Sequence, residues 1–308
     1  MPIPVIAGFI LGILSAFFFA LYMLPQKFGK VDHTTYIWSM GIGVLLTSLL
    51  AYHLVHFIAP TRTNFPHASN WSQREIALLC GVVWGIGTLS FATAIQRIGL
   101  TLATPYKNTT GIIGTLVGLL VFQEYKSTDP WLAVGGSILI VAAAIIIGRT
   151  GHADTPRNSV LGGIGFSLLA AVCYASYLGP MKIVVRSVGY WEFTPWMGLG
   201  ILITATSAVL LRPGGLRAFR NYSAGVLAAS LLGGAAWTIA LLCLAASMKM
   251  IDMSVAWALA NLNTVPAVFF GIAFFHEVHV PTHWRTLALG LLAATVGTFM
   301  LGWALHPH

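Results

Sequence analysis

Ten apolar stretches, each about as long as a bilayer is thick, account for most of this 308-residue chain and leave little else to fold. They run over approximately 3–24, 34–58, 76–96, 100–123, 130–148, 160–180, 191–211, 223–248, 253–275 and 284–305. A helix of about 20 apolar residues rises 1.5 Å per residue and so crosses roughly 30 Å of hydrocarbon. Strands of a membrane barrel would instead alternate polar and apolar over about ten residues, which these continuous runs do not do. The longest linker, near 60–75, is too short to fold alone, so no soluble domain is expected. Only 8% of the residues are charged and 57% are apolar, against about 25% charged in ordinary soluble domains. The chain therefore reads as an all-α integral membrane protein of ten transmembrane helices.

The ten stretches fall into two copies of five. Aligning Pro25 with Pro180, an offset of 155, brings Tyr22 onto Tyr177 and Lys27 onto Lys182, so both copies carry Y-x-x-P-x-K. An offset of 157 lays Met40-Gly41-Ile42-Gly43 on Met197-Gly198-Leu199-Gly200. At 153, Asn108 meets Asn261, Gly118 meets Gly271, and Phe122-Gln123-Glu124 meets Phe275-His276-Glu277. At 154, Gly136 meets Gly290 and Gly148 meets Gly302. The predicted organisation is a five-helix repeat over 1–150 and a second over 151–308. An odd number of spans per copy sets the copies upside down relative to each other, as in many secondary transporters.

The net charge of +8 points to membrane topology rather than to nucleic acid, because the charges lie between the spans. Odd-numbered linkers hold nine Lys and Arg and even ones six, which favours odd linkers in the cytoplasm and both termini outside. Met1-Pro2-Ile3-Pro4 has no basic region and runs straight into a span, so a cleavable signal peptide is not expected. Neither G-x-x-x-x-G-K-[ST] nor a dinucleotide fingerprint occurs in a strand-to-helix context, which argues against ATP as a direct energy source. Cys80, Cys173 and Cys243 are far apart in apolar spans and read as small buried hydrophobes. His276, His279 and His283 surround Glu277 without H-E-x-x-H, so no metal site and no cofactor are expected.

Polar groups inside spans mark where chemistry can occur. The fourth span opens on Thr101-Leu102-Ala103-Thr104-Pro105-Tyr106-Lys107-Asn108-Thr109-Thr110, a polar, proline-broken start. Its repeat mate carries Trp257, Asn261, Asn263 and Pro266. Corresponding interrupted segments in two halves are the best sequence pointer to a central substrate site. Lys107 either snorkels to the near interface or serves the substrate; no carboxylate close in sequence neutralises it, which favours the second. Trp84, Trp237 and Trp257 lie within spans, where a flat ring with one N–H donor suits either a sugar face or helix packing. The candidate substrate residues are thus Trp84, Lys107, Asn108, Trp237, Trp257, Asn261 and Asn263. Tyr22, Pro25, Lys27, Tyr177, Pro180 and Lys182 are candidate gates. Glu124 and Glu277 close the fourth and ninth spans, where they order the following turn or couple a proton.

The whole chain resembles the drug/metabolite transporter superfamily, on its five-helix repeats and its phenylalanine–x–glutamate span ends. Leu14-Ser15-Ala16, Pro25-x-Lys27, Trp84-Gly85-Ile86-Gly87 and Arg97-Ile98-Gly99-Leu100 look most like the bacterial glucose/ribose porter and rhamnose–proton symporter families. That resemblance implies a secondary active transporter, not an enzyme, moving a small polar solute such as a monosaccharide across the bacterial cytoplasmic membrane. Its implied partners are the solute, a coupling proton and the bilayer. An exporter of metabolites, amino acids or drugs on the same scaffold is the alternative, and Lys107 would suit an anionic cargo. A membrane-embedded transferase is more distant, since no acidic metal-binding cluster occurs.

Overall fold

The computed structural model describes residues 3–59, 71–148, 157–275 and 280–305, and among these every regular element is helical. In chain order the helices are α1 (Ile3–Leu21), α2 (Leu24–Gly29), α3 (His33–Ile58), α4 (Trp71–Asn108), α5 (Thr110–Val121), α6 (Pro130–Gly148) and α7 (Arg157–Ser176). The rest are α8 (Leu178–Ser187), α9 (Tyr190–Leu211), α10 (Ala224–Met250), α11 (Met253–Ala260), α12 (Thr264–Phe275) and α13 (Val280–Ala304). Eight helical segments among the described residues are long and apolar enough to cross a membrane. The two expected spans outside that set are the fourth and ninth, which are built from shorter pieces.

The first of these departures is in α4. Lys107 Nζ lies 5.6 Å from the centre of the Phe91 ring. Sixteen residues of straight helix would hold the two about 24 Å apart, so the chain folds back between them. Gly99 and Pro105 supply the usual causes of such a bend, conformational freedom and a missing amide. Helical backbone is assigned on both sides of that bend, through Pro105 as far as Asn108. In the other copy the break is the 3-10 turn Asn261–Asn263 between α11 and α12.

The helix breaks near Tyr22 and Tyr177 follow from the prolines. A proline lacks an amide proton and its ring collides with the carbonyl four residues earlier. Four before Pro25 is Leu21, the last residue of α1; four before Pro180 is Ser176, the last of α7. Each helix therefore stops ahead of its proline, which then sits in the first turn of the next helix, where proline is tolerated. The break lies upstream of Pro25 and Pro180, not at them.

Contacts group the chain into two compact units. One comprises Phe18–Ile86 and Ser176–Ala245; the other comprises Met1–Phe17, Gly87–Ala175 and Ala246–His308. Within the first unit α3 packs on α9, and the Arg212 cap of α9 reaches Asp32 at the start of α3, so the two helices are antiparallel. Glycines bring α4 against α9 and α10 against α3. A methyl group on Gly81 would strike the Met197 carbonyl and Gly200, and one on Gly234 would strike the Met40 carbonyl and Gly43. Likewise Gly200 faces the Leu78 carbonyl and Gly43 the Leu231 carbonyl. At the repeat offsets of 153 and 157, each of these contacts has its counterpart. In the second unit α6 packs on α13 through Gly136 against Gly297, matched by Gly290 against the Ala143 carbonyl. Small residues allow this approach in lipid, where packing rather than hydrophobicity holds helices together.

Candidate functional site

Two helix breaks meet in the second unit, and polar side chains cluster at their junction. Asn108, the last residue of α4, is fully buried and donates from Nδ2 to Thr264 Oγ1, the first residue of α12, at 2.5 Å. Gly111 lets Asn261 approach: a Cβ on Gly111 would touch the Asn261 side chain at 3.4 Å. Asn261 Nδ2 donates to the Trp257 carbonyl at 2.9 Å, and Trp257 Nε1 donates to the Thr110 carbonyl at 2.9 Å. Interrupted helices leave backbone groups without intrahelical partners, and these side chains satisfy some of them. Among the described residues, Asn108 Oδ1 and Thr110 Oγ1 are buried with no hydrogen-bond partner. Such groups cost free energy unless something pairs with them.

The structure thus brings together Asn108, Asn261 and Trp257 of the expected substrate residues. Asn263, half-buried, belongs to the same 3-10 turn. Lys107 precedes Asn108 and rests its ammonium over Phe91, a cation–π contact. Trp84 and Trp237 pair in the first unit, both buried, with ring centres 4.7 Å apart at 60°. Thr110 and Thr264 escape sequence reasoning, because single threonines beside a helix break carry no spacing signal. An apolar hollow of about 400 Å³ beyond the break is lined by Phe17, Val265, Pro266, Phe270 and their neighbours. It offers a polar solute nothing to bond.

The gate candidates fall at the two proline breaks. The Tyr22 carbonyl accepts a hydrogen bond from the Tyr36 hydroxyl, and the Tyr177 carbonyl accepts from Met181 N at 2.9 Å and from the Cys80 thiol at 3.8 Å. Side chains thereby occupy carbonyls at the end of each broken helix. Lys182 is buried and Pro180 exposed, while Pro25 is half-buried. The side chain of Lys27 and all of Glu277 lie outside the described residues.

Glu124 is buried and holds a distant helix. Its Oε1 accepts from Met253 N at 2.9 Å and its Oε2 from Ser254 N at 2.8 Å, the first two amides of α11. A carboxylate there satisfies orphan amides and meets the positive end of the helix dipole. Nearby, Asp252 Oδ2 accepts from Ser127 Oγ at 2.5 Å and Thr128 Oγ1 at 2.6 Å, while Asp129 caps α6 through the amides of Trp131 and Leu132. The short segment between α5 and α6 is thus fastened to α11.

A buried ion pair replaces a charge that sequence alone sets in a linker. Arg74, near the start of α4, meets Glu192 in the first turn of α9 at 2.8 Å, with side chains only 4% and 5% exposed. The Trp196 ring lies 5.7 Å from the guanidinium. Both residues stand just inside spans that begin on one face, yet 118 positions separate them, which hides the pairing from a sequence reading. At the other end of the same unit Asp32 receives Arg212 at 2.5 Å, the Thr35 amide and hydroxyl, and the Tyr222 hydroxyl.

Apolar membrane-length helices define a class, a multi-pass integral membrane protein, and this one holds a buried polar junction at two helix breaks. Part of the chain matches a family model, and several relatives are similar along most of its length. Residues 5–150, just under half of the chain, match the family model described as "Sugar transport protein". A Lactiplantibacillus plantarum protein named "Putative sugar uptake protein" is 25% identical over 292 residues, covering 89% of this chain and 92% of its own. A protein of the same description from Streptococcus agalactiae is 21% identical over 275 residues, covering 89% and 90%. A crystal structure with 14% identity superposes with a TM-score of 0.71, covering 95% of this chain and 97% of its own, a likeness of fold.

Proposed function

We propose that this protein is a secondary active transporter that carries a monosaccharide across the bacterial cytoplasmic membrane by alternating access, coupled to protons. The names of its relatives support sugar as the cargo. The observation that carries the site is the pair of buried, unpartnered oxygens at the meeting of two interrupted helices, Asn108 Oδ1 and Thr110 Oγ1. Sugar hydroxyls are donors and acceptors at once and fit amide and hydroxyl groups better than a single charge would. Asn261, Asn263, Lys107 and Trp257, all of the same unit, complete the polar set.

Alternating access needs two states that exchange. Ten spans in two inverted repeats supply them, and the matched glycine contacts of α4 with α9 and of α10 with α3, and those within the α6–α13 pair, support a two-fold relation between the copies. The breaks ahead of Pro25 and Pro180 then act as hinges for Tyr22/Lys27 and Tyr177/Lys182, which gate opposite faces.

A thermal-shift screen of purified protein against D-glucose, D-ribose, L-rhamnose, amino acids and nucleotides tests the reading, because a bound ligand raises apparent stability. A monosaccharide should shift the wild type. Asn108→Ala and Asn261→Ala should weaken that sugar by roughly 5- to 150-fold, the equivalent of about 1–3 kcal/mol for a buried partner left unpaired. Wild-type affinity in both folded variants would remove this site, and a shift with amino acids or nucleotides alone would remove the sugar.

A further inference from the structure

We propose that Glu192 is the group that takes up the coupling proton, and that it does so in competition with Arg74. This inference rests on the proton-coupled reading above and names the residue that performs the coupling. Arg74 Nε and Nη2 both reach the same oxygen, Glu192 Oε1, at 2.8 Å. The second oxygen, Oε2, is buried with no hydrogen-bond partner among the described residues. A carboxylate has about four acceptor positions, and a purely structural ion pair gains by filling them, since a half-satisfied buried pair is a poor source of stability.

The same unit contains the comparison. Asp32, at the start of α3, has both oxygens occupied: Arg212 and the Thr35 amide on Oδ1, the Thr35 and Tyr222 hydroxyls on Oδ2. Each acid stands at the start of one helix of the α3–α9 pair; Arg212, just after α9, meets the first and Arg74, on α4, meets the second, so these are two separate acid–guanidinium pairs. One is complete and partly exposed, at 38% for Asp32; the other is incomplete and buried. Glu124 is excluded by the same criterion, because each of its oxygens accepts a backbone amide of α11.

The step is a simple exchange. While the starts of α4 and α9 stay together, the guanidinium neutralises the carboxylate. When they part, the carboxylate loses its counter-charge and opens to the outer solution, from which a proton adds to an oxygen lone pair to give the neutral acid. Arg74 keeps its charge throughout, so one positive charge is gained per cycle. Trp196 faces the guanidinium, and Tyr52 on α3 is within electrostatic reach of both partners. His53 and His56 pack on the Tyr52 ring, and Glu75 beside Arg74 is exposed. These helix starts share the face expected to lie outside, from which a symported proton must come.

The test uses purified protein in liposomes with labelled D-glucose, D-ribose and L-rhamnose, measuring accumulation under an imposed pH gradient and counterflow exchange without one. Glu192→Gln should abolish accumulation while counterflow persists. A second variant guards against misfolding: Arg74→Lys keeps the charge but loses the two-pronged contact, so the proton competes better. Its accumulation should show a pH profile displaced from that of the wild type. Accumulation by Glu192→Gln, or an unmoved pH profile in Arg74→Lys, overturns the inference while leaving symport intact. A wild type that exchanges sugar but ignores the pH gradient overturns the coupled reading, and the inference with it.

Discussion

At the scale of single residues, the informative groups are those whose partners are incomplete or unusually complete. Asn108 and Glu192 each bury one oxygen without a partner, and each is assigned a ligand: a sugar hydroxyl for the first, a proton for the second. Asp32 is the opposite case. Burial pushes its carboxyl upward, but hydrogen bonds from Thr35 and Tyr222 and the Arg212 charge more than offset this, leaving it below its ordinary 3.8. A group depressed in the folded state stabilises above its unfolded value and loses that contribution as pH falls through the folded one. Asp32→Asn should therefore lower the thermal midpoint in detergent near pH 7. The difference from wild type should shrink as the pH is taken below about 3.8. A difference that stays constant down to pH 3 would show that charge is not what Asp32 contributes.

At the scale of elements, two chemical facts shape the helices. Proline ends α1 and α7 through the carbonyl four residues earlier, and glycine lets helices touch backbone to backbone. The second is quantitative. Gly200 lies against the Leu78 carbonyl so closely that a methyl group has no room. Overpacking of this kind costs about 1–3 kcal/mol. Gly200→Ala and Gly43→Ala should each lower the unfolding temperature measurably. Gly165→Ala on α7, with nothing within 4 Å, should be neutral or slightly stabilising because alanine is the better helix former. Equal midpoints for all three would mean that α9 with α4, and α3 with α10, do not pack as described.

At the scale of the whole molecule, inverted repeats demand that corresponding charged positions face opposite sides of the membrane. Lys30 follows α2 and Arg186 lies near the end of α8, and both are exposed. In a variant lacking Cys80, Cys173 and Cys243, single cysteines at these positions should react oppositely with a membrane-impermeant maleimide. One should label in intact cells and the other only after the membrane is opened. Labelling of both from the same side would end the inverted arrangement, and the gating roles of the two proline breaks with it.

Membrane class and helical content were legible in the sequence, because a bilayer leaves apolar backbone no alternative to internal hydrogen bonding. The paired breaks at Asn108 and Asn261 were legible too, since polar residues interrupt apolar runs at matched places. Tertiary structure alone decided where the charges went. Nothing in the sequence marks Arg74 for Glu192 across 118 residues, or Glu124 for the amides of α11, because a polar side chain finds its partner only after the helices have packed. The reversal within α4 was legible as well, since the apolar runs 76–96 and 100–123 already called for a turn between them; that it is made within helical backbone was not.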